Sequence, residues 1–210
     1  HWGGVCDMDP IMAIARRHKL WVVEDCAQSP GGKYKGRYVG TFGDVGCFSI
    51  SCYKIIGGGE SGLVLTNDQR LYERAAQLAE GGGLWRGADR FAPPRYDGEL
   101  FVGTNYRMSE LEAAVDLVQL GKLEDVVRRY KTVRRQIVAE LQTFREIEPE
   151  MNNDPAGAPG YQLRFYPQTV ALAVKIAQAL QAEGINALCR GANPQPDWHI
   201  YHAMFPVTLQ

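Results

Sequence analysis

The first fifty residues predict helices that alternate with continuous apolar strands. Asp9 is predicted to cap a helix with Pro10 at its first helical position, and apolar residues then recur at helical spacing as far as Lys19. Two near-continuous apolar runs lie at residues 20–23 and 47–50. Runs without polar alternation are typical of strands that are covered on both faces in a parallel sheet. The pattern therefore predicts an α/β fold with a mostly parallel sheet.

The rest of the chain predicts further elements and a second, smaller domain. They are a turn-rich excursion at 31–37, a strand at 62–66, a helix at 69–79 capped by Asp68, a long helical stretch from Ser109 to Phe144 broken near Gly121, a strand at 161–166, a helix at 169–182 and a strand at 184–189. The β-α-β succession after the long helix is typical of a small α/β domain. We place the boundary near residue 124, which gives a large domain at 1–124 and, at 125–210, a linking helix with part of the small domain.

Composition excludes several classes of function. The chain has 210 residues, 45% of them hydrophobic, which is enough to bury a core. A formal net charge of -1, without a basic stripe, argues against a nucleic-acid partner. No apolar run approaches the roughly 20 residues that span a bilayer, and the first residues lack the features of a signal peptide. We therefore expect neither nucleic acid nor a membrane among the partners.

Cysteine and histidine usage predicts neither a disulfide framework nor a metal site. The five cysteines are an odd number without a CxxC pair, and most lie in apolar patterns, which favours a reducing, cytoplasmic setting. His199 and His202, with Cys189, are a poor set of zinc ligands, so we expect no metal.

Three side chains with useful chemistry follow two of the strand patterns. Residues 22–25 end in Asp25, and the later run carries Ser49 and ends in Lys54, which opens a glycine-rich segment at 57–62. An acid, a hydroxyl and an amine are the groups that a pyridoxal phosphate enzyme needs. The acid keeps the pyridine nitrogen protonated, the hydroxyl binds a phosphate oxygen, and the amine forms a Schiff base. Ligands of open α/β sheets bind at the carboxyl ends of strands, where these residues are predicted to lie.

Each of these residues also has an ordinary interpretation. Asp25 alone would be a cap or turn acid, and Lys54 alone a surface lysine. Lys54 is flanked by Tyr53 and by isoleucines rather than by charges, which favours partial desolvation and a nucleophilic amine. Ser51 is a rival to Ser49 as the phosphate-binding hydroxyl. The glycine-rich segment is followed by no Gly-Lys-Ser/Thr, so it is not a P-loop.

Several ordered motifs carry a family resemblance. They are Asp25-Cys26-Ala27-Gln28, Gly32-Lys33-Tyr34-Lys35-Gly36, residues 40–49 (GTFGDVGCFS), Lys54 with Gly59-Glu60-Ser61-Gly62, and Asn105-Tyr106-Arg107-Met108-Ser109-Glu110. In this order they resemble the DegT/DnrJ/EryC1/StrS sugar aminotransferases over about residues 5 to 125. Two departures stand out. The glycine-rich motif has Ser61 where the family has glycine, and the segment that family members place before His1 is missing, so we expect a fragment of a longer protein.

The resemblance implies a partial large domain of a fold-type-I enzyme that binds pyridoxal 5′-phosphate and forms a homodimer with active sites at the subunit interface. It also implies roles for individual residues: Lys54 as the Schiff-base lysine, Asp25 as the partner of the pyridinium, Gln28 as a contact of the ring, Ser49 as a phosphate ligand, Asn105 as a phosphate ligand in the neighbouring subunit, and His1 near substrate or cofactor.

The implied activity is transfer of an amino group from glutamate or glutamine to a keto sugar. Two alternatives stay open. One is a sugar dehydratase of the same fold, although relatives with that chemistry replace the lysine with histidine. The other is a non-catalytic binding or regulatory relative.

Three arginines are either ligands of a substrate anion or part of a solvated loop: Arg86, Arg90 and Arg95.

Overall fold

A computed structural model describes residues 2–82 and 100–189 of the chain. The helices are α1 (Met8–His18), α2 (Gln69–Ala79), α3 (Glu110–Leu120), α4 (Leu123–Leu141) and α5 (Val170–Ala182). The strands are β1 (Val23–Asp25), β2 (Lys33–Tyr34), β3 (Arg37–Tyr38), β4 (Val45–Ser49), β5 (Gly62–Leu65), β6 (Ile147–Pro149) and β7 (Phe165–Pro167). None of the described helices is both long and apolar enough to cross a membrane.

The main sheet of the described residues has the strand order β1-β4-β5. β1 and β4 are parallel, with Asp25 opposite Cys47. β4 and β5 are antiparallel, with Ser49 opposite Gly62. The predicted α/β class is therefore confirmed, with a mixed sheet.

A small apolar cluster and a buried acid fix the loop between β1 and β4. Val5, Cys26 and Val39 are buried together, and Phe48 packs against them. Glu24 is also buried, and its carboxylate accepts hydrogen bonds from the backbone N–H groups of residues 40, 42 and 43, at 2.7, 2.6 and 2.6 Å. Three donors compensate for the desolvation of this charge, so the loop is held against the strand that ends in Asp25.

Helix ends follow most of the capping residues found in the sequence. The exception is α1, which begins at Met8 with Asp7 as its N-cap, so the prediction that Asp9 caps this helix and that Pro10 is its first residue is wrong. Asp68 accepts a hydrogen bond from the N–H of Leu71 at the start of α2, as predicted. Ser109 and Glu112 form a reciprocal capping box at the start of α3, and a turn at Gly121 separates α3 from α4. The predicted break in the long helical stretch is thus confirmed.

The described residues divide into two compact units. One comprises residues 2–82, 100–136 and 151–163, and the other residues 137–150 and 164–189. The second unit contains the antiparallel pair β6–β7 and helix α5, whose first turn is capped by Thr169. The boundary near residue 124 remains a prediction.

Several predicted strands differ from those observed. The strand expected at 161–166 is only β7, the described residues of 184–189 form no strand, and 31–37 contributes to the β2–β3 hairpin. The apolar run at 20–23 mostly precedes β1, and Trp21 is 70% exposed. The expectation that this run is covered on both faces is wrong for the described residues. β1 lies at the edge of the main sheet of the described residues. An apolar run indicates that a segment tends to be buried, but it does not identify the element that would cover it.

Candidate functional site

The candidate site lies at one edge of the main sheet. Asp25 is the last residue of β1 and Ser49 the last residue of β4. Because β1 and β4 are parallel, both residues lie at the carboxyl edge of this strand pair. Two side chains that are 24 positions apart in the sequence are thereby brought to the same edge.

Lys54 lies in the connection between β4 and β5, rather than at the end of a strand. Its N–H donates to the carbonyl of Ser51 at 2.9 Å, which forms a turn. The base of the connection is closed by hydrogen bonds from Ile50 N–H to the Ser61 carbonyl, at 2.9 Å, and from Gly58 N–H to the Ile50 carbonyl, at 3.3 Å. We call residues 50–61 the lysine loop. It leaves β4 at the edge that carries Asp25 and Ser49.

The amine and the carboxylate keep binding capacity that no described residue uses. The Lys54 side chain is half-buried, and within residues 2–82 and 100–189 its Nζ makes no hydrogen bond or ion pair. Asp25 is exposed. Its Oδ1 accepts from the N–H of Ala27 at 3.0 Å, and no described group donates to its Oδ2. An amine, a hydroxyl and a carboxylate at one sheet edge are a suitable set for a ligand that carries an aldehyde, a phosphate and a basic ring nitrogen.

Gln28 and Ser49 make local contacts. The side-chain oxygen of Gln28 accepts a hydrogen bond from the N–H of Trp2. The Ser49 hydroxyl accepts a long hydrogen bond, at 3.4 Å, from the backbone N–H of Ser51. Ser51 is the residue whose own hydroxyl is the alternative phosphate ligand. Gln28 follows Asp25 closely in the sequence, Ser49 ends β4, and Ser51 lies two residues further on. The sequence-predicted residues of these two segments are therefore positioned by adjacent strands.

Asn105 is not brought to this edge by any described contact. It is exposed, it pairs in a short bridge with Glu80 after α2, and its side-chain oxygen accepts from Arg107 N–H and Nε, each at 3.2 Å. His1 and the arginines at 86, 90 and 95 lie outside the described residues, as do His199 and His202.

Helix α3 contributes residues that the sequence analysis missed. Glu112 accepts from the N–H of Glu60 at 3.3 Å, Asp116 accepts from the Ser61 hydroxyl at 2.5 Å, and Gln119 donates to the carbonyl of Gly57 at 3.1 Å. All three contacts are with the lysine loop. The spacing of residues 112, 116 and 119 places them on one helix face, and this pattern could have indicated the contact with the loop. A polar helix face, however, normally indicates a face that is exposed to solvent.

This chain is similar to known aminotransferases over most of its length. The model of the DegT/DnrJ/EryC1/StrS aminotransferase family matches residues 1–206. GDP-perosamine synthase from Escherichia coli O157:H7 is 42% identical over 132 residues, which cover 63% of this chain and 34% of the synthase. L-glutamine:2-deoxy-scyllo-inosose aminotransferase from Streptoalloteichus tenebrarius is 39% identical over 169 residues, which cover 79% of this chain and 38% of that enzyme.

A solved structure is similar in fold as well. S. venezuelae DesV, in complex with a ketimine intermediate, matches with a TM-score of 0.73 and 27% identity, over 88% of this chain and 46% of DesV. The fold-type-I class is thereby confirmed. The chain spans between a third and a half of the length of these proteins.

Proposed function

Because this chain belongs to the DegT/DnrJ/EryC1/StrS aminotransferase family, we propose that it acts in a pyridoxal 5′-phosphate-dependent aminotransferase that moves an amino group from glutamate or glutamine to a keto sugar. The observation that carries the proposal is the common sheet edge at which Asp25, Ser49 and the lysine loop lie. The names of the relatives support a sugar-like substrate and glutamine as a donor.

Pyridoxal phosphate, when bound, supplies an aldehyde carbon that takes up the amino group and a ring that accepts the electron pair released at the donor's α-carbon. The residues of the sheet edge would hold this group and move its protons. Lys54 would hold it through the aldehyde carbon until the donor amine takes that place, and the freed Lys54 amine would then carry a proton from the donor's α-carbon. Asp25 would keep the ring nitrogen protonated, and Ser49 would donate a hydrogen bond to a phosphate oxygen. Gln28 would contact the ring.

The electrostatics of the edge support the role of Asp25. Burial raises the pKa of the Cys26 thiol to about 12, and the charges of Glu24 and Asp25 add to this shift. Burial and then the charge of Asp25 also raise the pKa of Cys47. The charge of Asp25 disfavours the negative thiolate form of both cysteines. The same charge favours a cation close to it, such as a protonated ring nitrogen.

We also propose that the enzyme is a cytoplasmic homodimer, in which Asn105 and His1 contribute to the site. The outward face of α3 supports the dimer. Leu111, Val115 and Val118 lie at i, i+4 and i+7, and they are 83%, 47% and 60% exposed. An apolar row of this kind is typical of a helix that packs against a partner.

The test is spectroscopic. We expect pyridoxal phosphate to give the chain a visible absorption band that borohydride removes, with the cofactor then fixed covalently on Lys54 in a mass spectrum. Glutamate or glutamine should replace the band by that of the aminated cofactor and release one equivalent of keto acid.

The matched variants are Lys54→Ala and Lys175→Ala. Lys175 is exposed on α5, so its replacement should leave the band unchanged. If Lys54→Ala and the unmodified chain give the same spectrum, the assignment of Lys54 is wrong. If the band forms but no donor amine displaces Lys54, transfer of an amino group is wrong.

A further inference from the structure

We infer that Asp116 is a positioning residue that holds the lysine loop through Ser61 and so presents the Lys54 amine to the cofactor. The inference rests on the proposed function, which gives Lys54 its task. Asp116 and Ser61 are 55 positions apart in the sequence, and the hydrogen bond of 2.5 Å from the Ser61 hydroxyl to Oδ2 of Asp116 joins α3 to the loop.

Asp116 is an unusual residue at its place in the fold. It is 5% exposed, and its Oδ1 is buried without a hydrogen-bond partner among the described residues. A buried carboxylate with a single donor is costly, because it loses its hydration without full compensation. Among the described residues, the Ser61 hydroxyl is the group that donates a hydrogen bond to this carboxylate. Loss of either side chain would therefore remove the bond that compensates for the burial of Asp116.

The loop backbone lies directly against two acids of α3. A Cβ atom added to Gly58 would lie 1.9 Å from Oδ1 of Asp116, and one added to Gly59 would lie 2.9 Å from Oε1 of Glu112. Only glycine allows the backbone to approach so closely. The glycine-rich segment after Lys54 thus has a steric partner within the same chain.

Residues 57–61, which we call the arm of the lysine loop, are supported by α3 along their whole length. Glu112 and Gln119, on the same helix face as Asp116, bind the loop backbone at Glu60 and Gly57. The hydrogen bonds of Ile50 with Ser61 and Gly58 close the base of the loop. Lys54 therefore lies between a strand end and an arm that is fixed to a helix, which restricts where its amine can be.

Such restriction matters for the chemistry of Lys54. An amine that attacks a bound aldehyde and then transfers a proton needs a narrow range of positions, and a displacement of about 1 Å can slow such a step about a hundredfold. Ser61 supplies a hydroxyl that a glycine in this glycine-rich segment would lack. Asp116 uses that hydroxyl to fix the arm.

The first measurement is amide hydrogen exchange of the chain without cofactor. Asp116→Ala and Ser61→Ala should speed exchange in peptides covering residues 57–61 about tenfold, the effect of losing one charge-assisted hydrogen bond. Asp116→Asn keeps an acceptor and should restore most of the protection. Glu110→Ala is the matched control, because it also removes an acid from α3 but at an exposed position without described contacts to the loop. It should leave exchange at 57–61 unchanged.

The second measurement is the rate at which the visible band forms after pyridoxal phosphate is added. We expect a slower rate in Asp116→Ala and Ser61→Ala, and recovery in Asp116→Asn, with circular dichroism unchanged. A purely structural role would lower the urea midpoint but leave this rate unchanged in the folded chain.

The inference is overturned if Asp116→Ala exchanges and forms the band as the unmodified chain does, or if Glu110→Ala loosens the loop equally. An unmodified chain that never forms the band contradicts the proposed function instead. In that case the exchange data still decide whether Asp116 holds the loop, because they need no cofactor.

Discussion

Among the single residues of the site, Asp25 influences two neighbouring thiols. Its charge helps to raise the pKa of Cys26, the next residue, and of Cys47, its partner across the parallel pair. For both thiols burial is the larger cause. The pKa values of the two thiols therefore depend on the charge of Asp25, although neither cysteine takes part in the proposed chemistry.

We expect Asp25→Asn to speed alkylation of Cys47 by iodoacetamide at mildly alkaline pH. Removing the negative charge lets the pKa of Cys47 fall toward its ordinary value of 9.0, so that more of the reactive thiolate is present. Mass spectrometry of the labelled peptides gives the rate, with the exposed Cys52 as the internal reference.

Cys26 should stay unlabelled in both proteins, because burial is the largest cause of its raised pKa and also keeps its thiol from the reagent. Equal rates for Cys47 with and without the Asp25 charge would contradict this electrostatic account.

At the scale of elements, α3 has the reverse of the usual arrangement. Its inward face carries Glu112, Asp116 and Gln119, which bind the lysine loop, while its apolar residues point outward. The helix begins with a capping box in which Glu112 accepts from the N–H and the hydroxyl of Ser109, at 3.3 and 2.9 Å. These bonds and the one from Glu60 N–H lower the pKa of Glu112. One side chain thus links the start of the helix to the loop.

Ser109→Ala should lower the free energy of unfolding by about 1 kcal/mol at neutral pH, the usual effect of losing a serine cap. The loss should shrink in acid. A lowered folded pKa stabilises the fold above the ordinary value of 4.5, and this contribution disappears as the pH falls through the folded value. Urea unfolding at pH 7 and at several values below 4.5 measures the difference.

Thr169→Ala is the matched control for that prediction. Thr169 caps α5 by accepting from the N–H of Leu172 at 3.1 Å, and the residue in the position of Glu112 is here an uncharged leucine. The loss on replacing Thr169 should therefore be about the same in acid. If Ser109→Ala and Thr169→Ala respond alike to pH, Glu112 is not the titrating group.

Across the whole molecule, large apolar side chains remain exposed on the described surface. Trp21 is 70% exposed, Val102 93% and Leu117 72%, in addition to the outward row of α3. The α3 row follows one face of a helix, which is typical of a surface that another polypeptide covers.

We expect the double variant Leu111→Lys with Val118→Lys to shift the chain from dimer to monomer in sedimentation experiments. Each lysine places a charge in an apolar contact, where it would be desolvated without a partner. Leu188→Lys is the control, since Leu188 is 75% exposed outside α3. A chain that is monomeric before any substitution, or a control that dissociates equally, would contradict a dimer through α3.

Local signals predicted the helices well and the strands less well. α2, α5 and the break at Gly121 were predicted within a residue, because caps and turns act between neighbours in the sequence. The strand at 20–23 was misplaced, and the antiparallel pairing of β5 with β4 was not predicted. Strand pairing depends on partners far away in the chain, which a local apolar run does not identify.

Residue types and their order were enough to reveal the acid, the hydroxyl and the amine, and the family in which they occur together. Their common edge depends on β1 and β4 being parallel, and the support of the lysine loop depends on contacts 52, 55 and 62 positions apart. Such contacts form only when distant segments pack together, because their energy comes from burial and hydrogen bonding in three dimensions. Asp116 shows the difference: in the sequence it is one acid in a helix, and in the folded chain it is buried against the loop that carries Lys54.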